Sequence, residues 1–200
     1  MQYDGSTRYI AKTIVVDKDG VPIKDILVDI NSTRDNGNNA DNIASSTTDE
    51  EGFSIIFFPS LKKNGTYSII INPEGAVYQT KSISNIKLSD FENYVFELGP
   101  IVLYKNDDIV NFQIKLNPIN DNHTIENIEI DAISANDFVY YNDVPNDNDY
   151  YPEQFFRILK NQNFNLSYTV KDYSTSPVTS VNHTVNMSIG VESLTYELEY

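Results

Sequence analysis

Apolar and polar residues alternate with a period of two along most of the chain, and helical spacing of apolar residues is nearly absent. Such alternation is typical of β-strands that bury one face. In the first half of the chain, the alternating segments are residues 9–16, 26–30, 53–58, 66–71, 78–83, 94–98 and 101–104. In the second half, they are residues 109–116, 125–133, 138–141, 155–159, 164–170, 181–189 and 194–200. Short strands at this spacing, each bounded by turn residues, predict β-sandwiches rather than a parallel sheet.

Turn-forming residues separate these segments. Asp17-Lys18-Asp19-Gly20 predicts a turn in which the glycine takes a positive φ. Residues 31–44 lack apolar spacing, so we expect a long surface loop there. Pro59 should end the segment before it, because proline cannot donate a hydrogen bond to a strand ladder. Residues 155–159 allow a second interpretation, since a short helical turn would bury the same side chains as a strand.

The polar stretch Lys105-Asn106-Asp107-Asp108 is the best candidate for a linker between domains. Dividing the chain there predicts two consecutive β-sandwich domains, at residues 1–105 and 106–200, each of ordinary domain size. The predicted fold class is therefore all-β, with little or no helix. With 40% hydrophobic residues, the chain can bury a core in each half.

Charge and composition narrow the range of partners. The formal net charge is −15, from 29 acidic and 14 basic residues, so the surface repels a phosphate backbone and nucleic acid is not an expected partner. No apolar run approaches the roughly 18 residues that span a bilayer, which predicts that no segment is transmembrane. The chain has no cysteine, and this excludes disulfides, thiol nucleophiles and thiolate metal sites.

Catalytic motifs are missing from the sequence. His123 and His183 are the only histidines, and neither stands in a recognisable nucleophile motif. There is no Gly-x-Ser-x-Gly elbow and no glycine-rich phosphate loop. A pair of carboxylates could hydrolyse a glycoside, but the chain has no tryptophan to line a sugar cleft. We therefore expect a protein that is not an enzyme.

The most unusual segment interleaves tyrosines with acidic residues. Its candidate binding residues are Tyr140, Tyr141, Tyr150 and Tyr151, because tyrosine offers flat apolar area together with a hydroxyl for stacking on sugars or peptides. Its candidate calcium ligands are Asp143, Asp147 and Asp149, since Ca²⁺ prefers clustered oxygens. The alternative is an inter-strand loop whose tyrosines cover the edge of the sandwich.

Two further acidic segments are weaker calcium candidates. One is the turn that contains Asp17 and Asp19, for which a plain β-turn is the alternative. The other is the loop from Asp35 to Asp41, for which a solvated loop is the alternative. No cofactor other than Ca²⁺ is expected.

Several blocks of the first half form a recognisable set. They are Asp17-Lys18-Asp19-Gly20-Val21-Pro22, Thr48-Asp49-Glu50-Glu51-Gly52-Phe53 and Gly65-Thr66-Tyr67. Residues 8–105 thereby resemble the carboxypeptidase regulatory-like domains, which are transthyretin-like sandwiches related to the Cna-B type. The resemblance implies a non-catalytic spacer or docking module of exported bacterial proteins. Residues 106–200 are only generically similar to an immunoglobulin-like sandwich.

Related sandwiches carry an internal Lys–Asn isopeptide bond that a nearby acid promotes. Val15 and Ile71 stand where the lysine and the acid would be, so we expect no such bond.

Usage rich in Asn, Thr, Ser and Tyr and poor in Ala, Arg and Leu favours an extracytoplasmic β domain from an AT-rich bacterium. We expect a location in the periplasm, the outer membrane or the cell surface of a Gram-negative bacterium. We expect that an export signal preceded Met1 and that the protein is either lipid-anchored or secreted; the alternative is a cytoplasmic protein that begins at Met1. The leading hypothesis is a structural spacer or binding module for a protein or glycan at the surface. One alternative is a carbohydrate-binding accessory protein of a polysaccharide uptake system. Another is a fibre or pilus-like assembly component whose strand at residues 8–16 pairs with another protomer.

Overall fold

The structure is a computed structural model that describes residues 3–34, 40–61, 65–135 and 153–200. The described residues are all-β, with two single-turn 3₁₀ helices and no α-helix, which confirms the predicted fold class. By its internal contacts the chain divides into two compact units, Met1–Asn106 and Asp107–Tyr200. No helix in the described ranges is both long and apolar enough to span a lipid bilayer.

The described part of unit 1 holds seven strands in two sheets. They are β1 (Tyr3–Val16), β2 (Leu27–Arg34), β3 (Asp41–Thr47), β4 (Phe53–Leu61), β5 (Gly65–Ile71), β6 (Lys81–Ile86) and β7 (Val95–Val102). One sheet has the order β4-β1-β7, in which β1 runs antiparallel to β4 and parallel to β7. The other sheet has the order β3-β2-β5-β6, and all of its pairs are antiparallel.

Unit 2 holds six described strands, again in two sheets. They are β8 (Ile109–Asn117), β9 (His123–Ile130), β10 (Glu153–Leu159), β11 (Gln162–Asp172), β12 (Thr179–Ile189) and β13 (Leu194–Glu199). The sheet orders are β10-β8-β13 and β12-β11-β9. As in unit 1, the first strand pairs in parallel with the last one, β8 with β13.

Each unit has its own core, built from alternate residues of its strands. In unit 1 the largest buried side chains are those of Phe58 and Tyr67, whose ring centroids lie 5.2 Å apart. In unit 2, Phe112 packs edge-on against Phe164 at 5.1 Å. The period-two alternation in the sequence therefore marks the residues that face each core.

The predicted long loop at residues 31–44 is wrong at both ends. β2 continues through Ser32 to Arg34, and β3 begins at Asp41. β3 lies at a sheet edge, and all of its side chains are exposed or half-buried. A backbone ladder joins it to β2, and Ile43 and Ala44 pack against the core. Its other side chains are polar, so apolar spacing gave no signal there.

Other boundaries also differ from the predicted ones. Residues 94–98 and 101–104 were expected as two strands, but one strand, β7, runs through Gly99 and Pro100 with a shift of register against β1. Pro59 lies inside β4 instead of ending it, because an edge strand tolerates a missing donor. Residues 155–159 belong to the strand β10 and not to a helical turn.

Gly52, in the turn before β4, has closer surroundings than Gly20, Gly75, Gly99 and Gly190. Its φ is +74°, and a Cβ atom there would lie 2.5 Å from the backbone oxygen of Val15. Its own carbonyl accepts the Val15 N–H at 2.9 Å, so the close approach helps to hold the turn against β1. Gly20 has a similar φ of +79° but no atom within 4 Å of the Cβ position.

We expect Gly52→Ala to destabilise unit 1 more than Gly20→Ala does. Both changes place an alanine in the left-handed region, which costs about 1–3 kcal/mol. Only Gly52→Ala adds a clash with fixed backbone, so its loss of unfolding free energy should be clearly the larger. Urea unfolding followed by tyrosine fluorescence measures both. Equal losses for the two variants would show that the contact with Val15 is unimportant.

Candidate functional site

The tyrosine-rich and acidic segment that the sequence singled out for binding lies outside the described residues. This holds for the four tyrosines and the three aspartates of the proposed binding and calcium segment: Tyr140, Tyr141, Asp143, Asp147, Asp149, Tyr150 and Tyr151. Their roles therefore stay predictions. Of the second calcium candidate, the loop from Asp35 to Asp41, only its last two residues are described.

The Asp17 carboxylate is used within its own turn. Its Oδ1 accepts the backbone N–H groups of Asp19 and Val21, each at 2.9 Å. The hydrogen bond from Val21 is the main cause that lowers the pKa of Asp17 below its usual value. The arrangement is that of an ordinary Asx-capped β-turn. Over the described ranges of the chain, no group of three or more His, Cys, Asp or Glu residues is placed to hold a metal ion.

The two histidines lie apart on unit 2. His123 Nε2 is 3.2 Å from Asn120 Nδ2 and 3.9 Å from Asp172 Oδ2. His183 stacks on Tyr168, with ring centroids 5.0 Å apart and an interplanar angle of 11°. Each imidazole thus has its own local contact, and the two do not converge on one site.

An open recess of about 540 Å³ lies beside the start of β11 in unit 2. Its polar lining includes Asp131, Asn163, Asn165 and Asn186. The Asp131 carboxylate accepts two hydrogen bonds from Asn165, one from the backbone N–H and one from Nδ2 at 2.7 Å. These bonds lower the pKa of Asp131, the backbone one most strongly. The carboxylate therefore fastens the end of β9 to β11.

The most unusual surface among the described residues lies on β4. Phe53, Ile55 and Phe57 point away from the core, with exposed fractions of 45%, 47% and 63%. They alternate with the buried residues Ser54, Ile56 and Phe58. Because β4 is the outermost strand of its sheet, the three exposed side chains border a backbone edge that faces away from β1. We call these three side chains and that backbone edge the apolar edge.

The neighbouring strand extends the apolar surface. Ile10 and Ile14 of β1 lie opposite Phe57 and Phe53, and both are half-buried. Lys12 lies between them and forms an ion pair with Glu97 of β7, at 3.2 Å between Nζ and Oε1. The one basic side chain on this part of β1 is thus matched by an acidic one.

No residue of β4 is charged, although the chain as a whole carries −15. Edge strands of soluble proteins are usually protected from pairing by charged side chains, prolines or bulges. β4 has only Pro59 and a bulge in β1 between Asp4 and Arg8, both toward its carboxyl end. At Phe53 the backbone N–H and C=O are already bonded to Asp49, at 2.8 and 2.9 Å. From Ser54 to Phe58, β4 therefore presents an edge with apolar side chains in the arrangement that accepts an added strand.

From the sequence alone, residues 53–58 are predicted only as a strand that buries one face against the core. The available signal was that both alternate sets of residues 53–58 are largely apolar, whereas one buried face requires only one such set. Which set is exposed depends on where the strand lies in the sheet, and alternation does not determine this.

No protein family and no curated protein matches this sequence. Among solved structures, the chain is similar to the TIE protein of Bacillus anthracis, at 14% identity and a TM-score of 0.36, covering 96% of this chain and 34% of that one. It is similar to the shaft pilin of Lactobacillus rhamnosus GG, at 10% identity and a TM-score of 0.37, covering 96% and 98%. The similarity to a 9R-lipoxygenase from Cyanothece, at 12% identity and a TM-score of 0.36, covers 51% and 18%.

The chain thus spans about a fifth of that lipoxygenase and a third of the TIE protein. Pilins and a fimbrial anchor protein recur among the similar structures, beside a few enzymes. At these identities and TM-scores, the similarities carry no argument about function.

We expect Ile55→Lys and Phe57→Lys to reduce the binding of a hydrophobic fluorescent dye severalfold. Both side chains are about half exposed, so the free energy of unfolding should change by only about 0.5 kcal/mol. Val191→Lys is the matched control, because Val191 is 62% exposed but lies outside the strands. Dye fluorescence that is equal in all three variants and the parent protein would contradict the prediction.

A second prediction concerns acid stability of unit 2. The pKa of Asp131 is lower in the folded state, so its stabilising effect is complete above the usual carboxyl value of 3.8 and is lost as the pH falls through the folded value. Asp131→Asn should lower stability at neutral pH and flatten its decrease in acid. Urea unfolding across this range measures both effects, with exposed Glu192→Gln as the control. An unchanged pH profile in Asp131→Asn would exclude this role.

Proposed function

We propose that this protein is a non-catalytic module of the cell exterior that acts as a spacer and binds a protein partner by strand addition at β4. The observation that supports the proposal is the apolar edge, which joins exposed Phe53, Ile55 and Phe57 to a sheet edge without charges. In this mode, main-chain hydrogen bonds supply affinity and alternate side chains supply specificity.

Elementary energetics indicates what such a site can achieve. Covering the exposed parts of the three side chains contributes about 1 kcal/mol each. Each new backbone hydrogen bond adds about 1 kcal/mol net. Association itself costs roughly 4–15 kcal/mol in lost freedom of motion. A single added strand therefore binds with modest affinity. Such affinity is useful when the partner is also bound at other sites, because linked sites raise the overall affinity.

The charge of the chain restricts the partner further. At a net charge of −15, an acidic protein is repelled at long range, although salt screens this beyond about 8 Å at physiological ionic strength. The partner strand should therefore be neutral or basic, with apolar residues at alternate positions to cover the apolar edge.

The two units divide the roles in this proposal. Residues 1–105 form the docking and spacer domain, in line with their resemblance to carboxypeptidase regulatory-like domains. Residues 106–200 form a second sandwich. The chain's richness in Asn, Thr, Ser and Tyr supports a location outside the cytoplasm.

The test is a titration with a short synthetic peptide of alternating valine and threonine with a lysine at each end. Amide NMR of the labelled full chain should show shifts concentrated on residues 53–58. Phe57→Lys should abolish them, and Val191→Lys should leave them unchanged. A peptide methylated on alternate backbone nitrogens should not bind, because it lacks the ladder donors. Shifts that are absent, or that lie mainly on other strands, would refute the proposal.

A further inference from the structure

The four described sheets have eight edge strands, and charge separates two of these from the rest. β4 and β12 contain no Asp, Glu, Lys or Arg. Every other edge strand contains at least one charged residue: β3 Asp41, β6 Lys81, β7 Glu97, β9 Glu126 and Glu129, β10 Glu153 and Arg157, and β13 Glu197 and Glu199. Each unit thus has one uncharged edge.

β12 is a long edge strand with two different faces. On one face, Val181 is 55% exposed and Val185 is half-buried. On the other face the side chains are polar, and Asn182 Oδ1 accepts a hydrogen bond from Thr169 Oγ1 of β11 at 2.9 Å. All eleven residues of β12 have a backbone N–H, since none is proline. The N–H of Thr179 is bonded to Thr175 Oγ1 at 3.2 Å, and beyond Thr179 the free edge of β12 can add to a sheet.

Electrostatics decides which edges of two copies can meet. Two chains that each carry −15 repel one another, and like charges placed directly opposite in a ladder are destabilising. Contacts through β4 and β12 bring no charged side chain of either strand into the new ladder. Three pairings meet this condition: β4 with β4, β12 with β12, and β4 with β12.

The backbone and the side chains favour the mixed pairing. Two antiparallel β4 strands centred on Ile56 would place Pro59 opposite Phe53 at both ends, and each proline removes a donor. Two β12 strands would have little apolar surface to cover, since Val181 is the most exposed apolar residue of β12. β4 with β12 combines the apolar edge with a strand that has every donor.

We propose that β12 of a second copy of this chain adds to β4, with Val181 beside the exposed side chains of Phe53, Ile55 and Phe57. This inference rests on the proposed function, namely that β4 accepts a strand. The contact joins different surfaces of the two copies, so it repeats from copy to copy and produces either a ring or an open fibre. Salt should strengthen the contact, because it screens the repulsion between the acidic copies.

The absence of cysteine from the chain makes a clean cross-linking test available. Two single variants, Ile55→Cys and Val181→Cys, are prepared with tags of different size, mixed and oxidised. We expect a disulfide-linked heterodimer that forms severalfold faster than the homodimer of either variant alone. Its yield should rise with salt and fall when Phe57→Lys is added to the Ile55→Cys chain. Ile55→Cys mixed with Val191→Cys is the matched control, since Val191 is equally accessible but lies outside β12.

Heterodimer formation no faster than in the Val191→Cys control would overturn the inference. Preferential linkage of Ile55→Cys to itself would overturn it too, because this indicates pairing of β4 with β4. The peptide titration on the same preparation distinguishes strand addition at β4 from the identity of the strand that is added. If the peptide binds β4 but the heterodimer is absent, the proposed function stands and the second copy is excluded as the partner. If neither occurs, strand addition at β4 itself is refuted.

Discussion

β1 supplies hydrogen-bond partners to β4 on one side and to β7 on the other, and the sheet β4-β1-β7 depends on it. Its inward residues Ala11 and Val15 belong to the core, and its Val15 backbone also holds the turn at Gly52. β1 is the central strand of this sheet, and β4 is an edge strand that pairs with β1 on one side. Phe53, Ile55 and Phe57 lie on the face of β4 opposite its buried residues, next to the backbone edge that β1 leaves unpaired.

The strands that alternate most regularly could be predicted from the sequence alone. β8 and β11 were found within a few residues because each buries one apolar face against the unit 2 core. β3 was missed because its side chains are mostly polar and its two apolar residues, Ile43 and Ala44, are neighbours in sequence and do not alternate. Alternation indicates strands that bury one apolar face, and a mostly polar edge strand lacks that pattern.

The candidate site was harder to predict than the fold, for a related reason. An apolar residue in a strand is expected to be buried, so Phe57 was indistinguishable from Phe58 in the sequence. Its exposure depends on which face of β4 packs against the core, and this is set by contacts distant along the chain, such as that of Phe58 with Tyr67. The tyrosines and aspartates at residues 140–151 gave a clear chemical signal, and their roles stay predictions.

Charge and pairing are linked throughout the described sheets. Six of the eight edges carry charged side chains, which oppose the addition of a further strand. An added strand therefore pairs preferentially with an uncharged edge. This preference arises from the protection of the charged edges as much as from attraction at the uncharged one.

The parallel pairing of first and last strands has a mechanical consequence. β1 and β7 lie side by side and run in the same direction, as do β8 and β13. A pull on the two ends of either unit would act along these strands and load the hydrogen bonds between them in shear, all at once. Hydrogen bonds loaded in this way must break together. The hydrogen bonds between antiparallel terminal strands would instead break one after another. Each unit is therefore built to resist stretching along the chain.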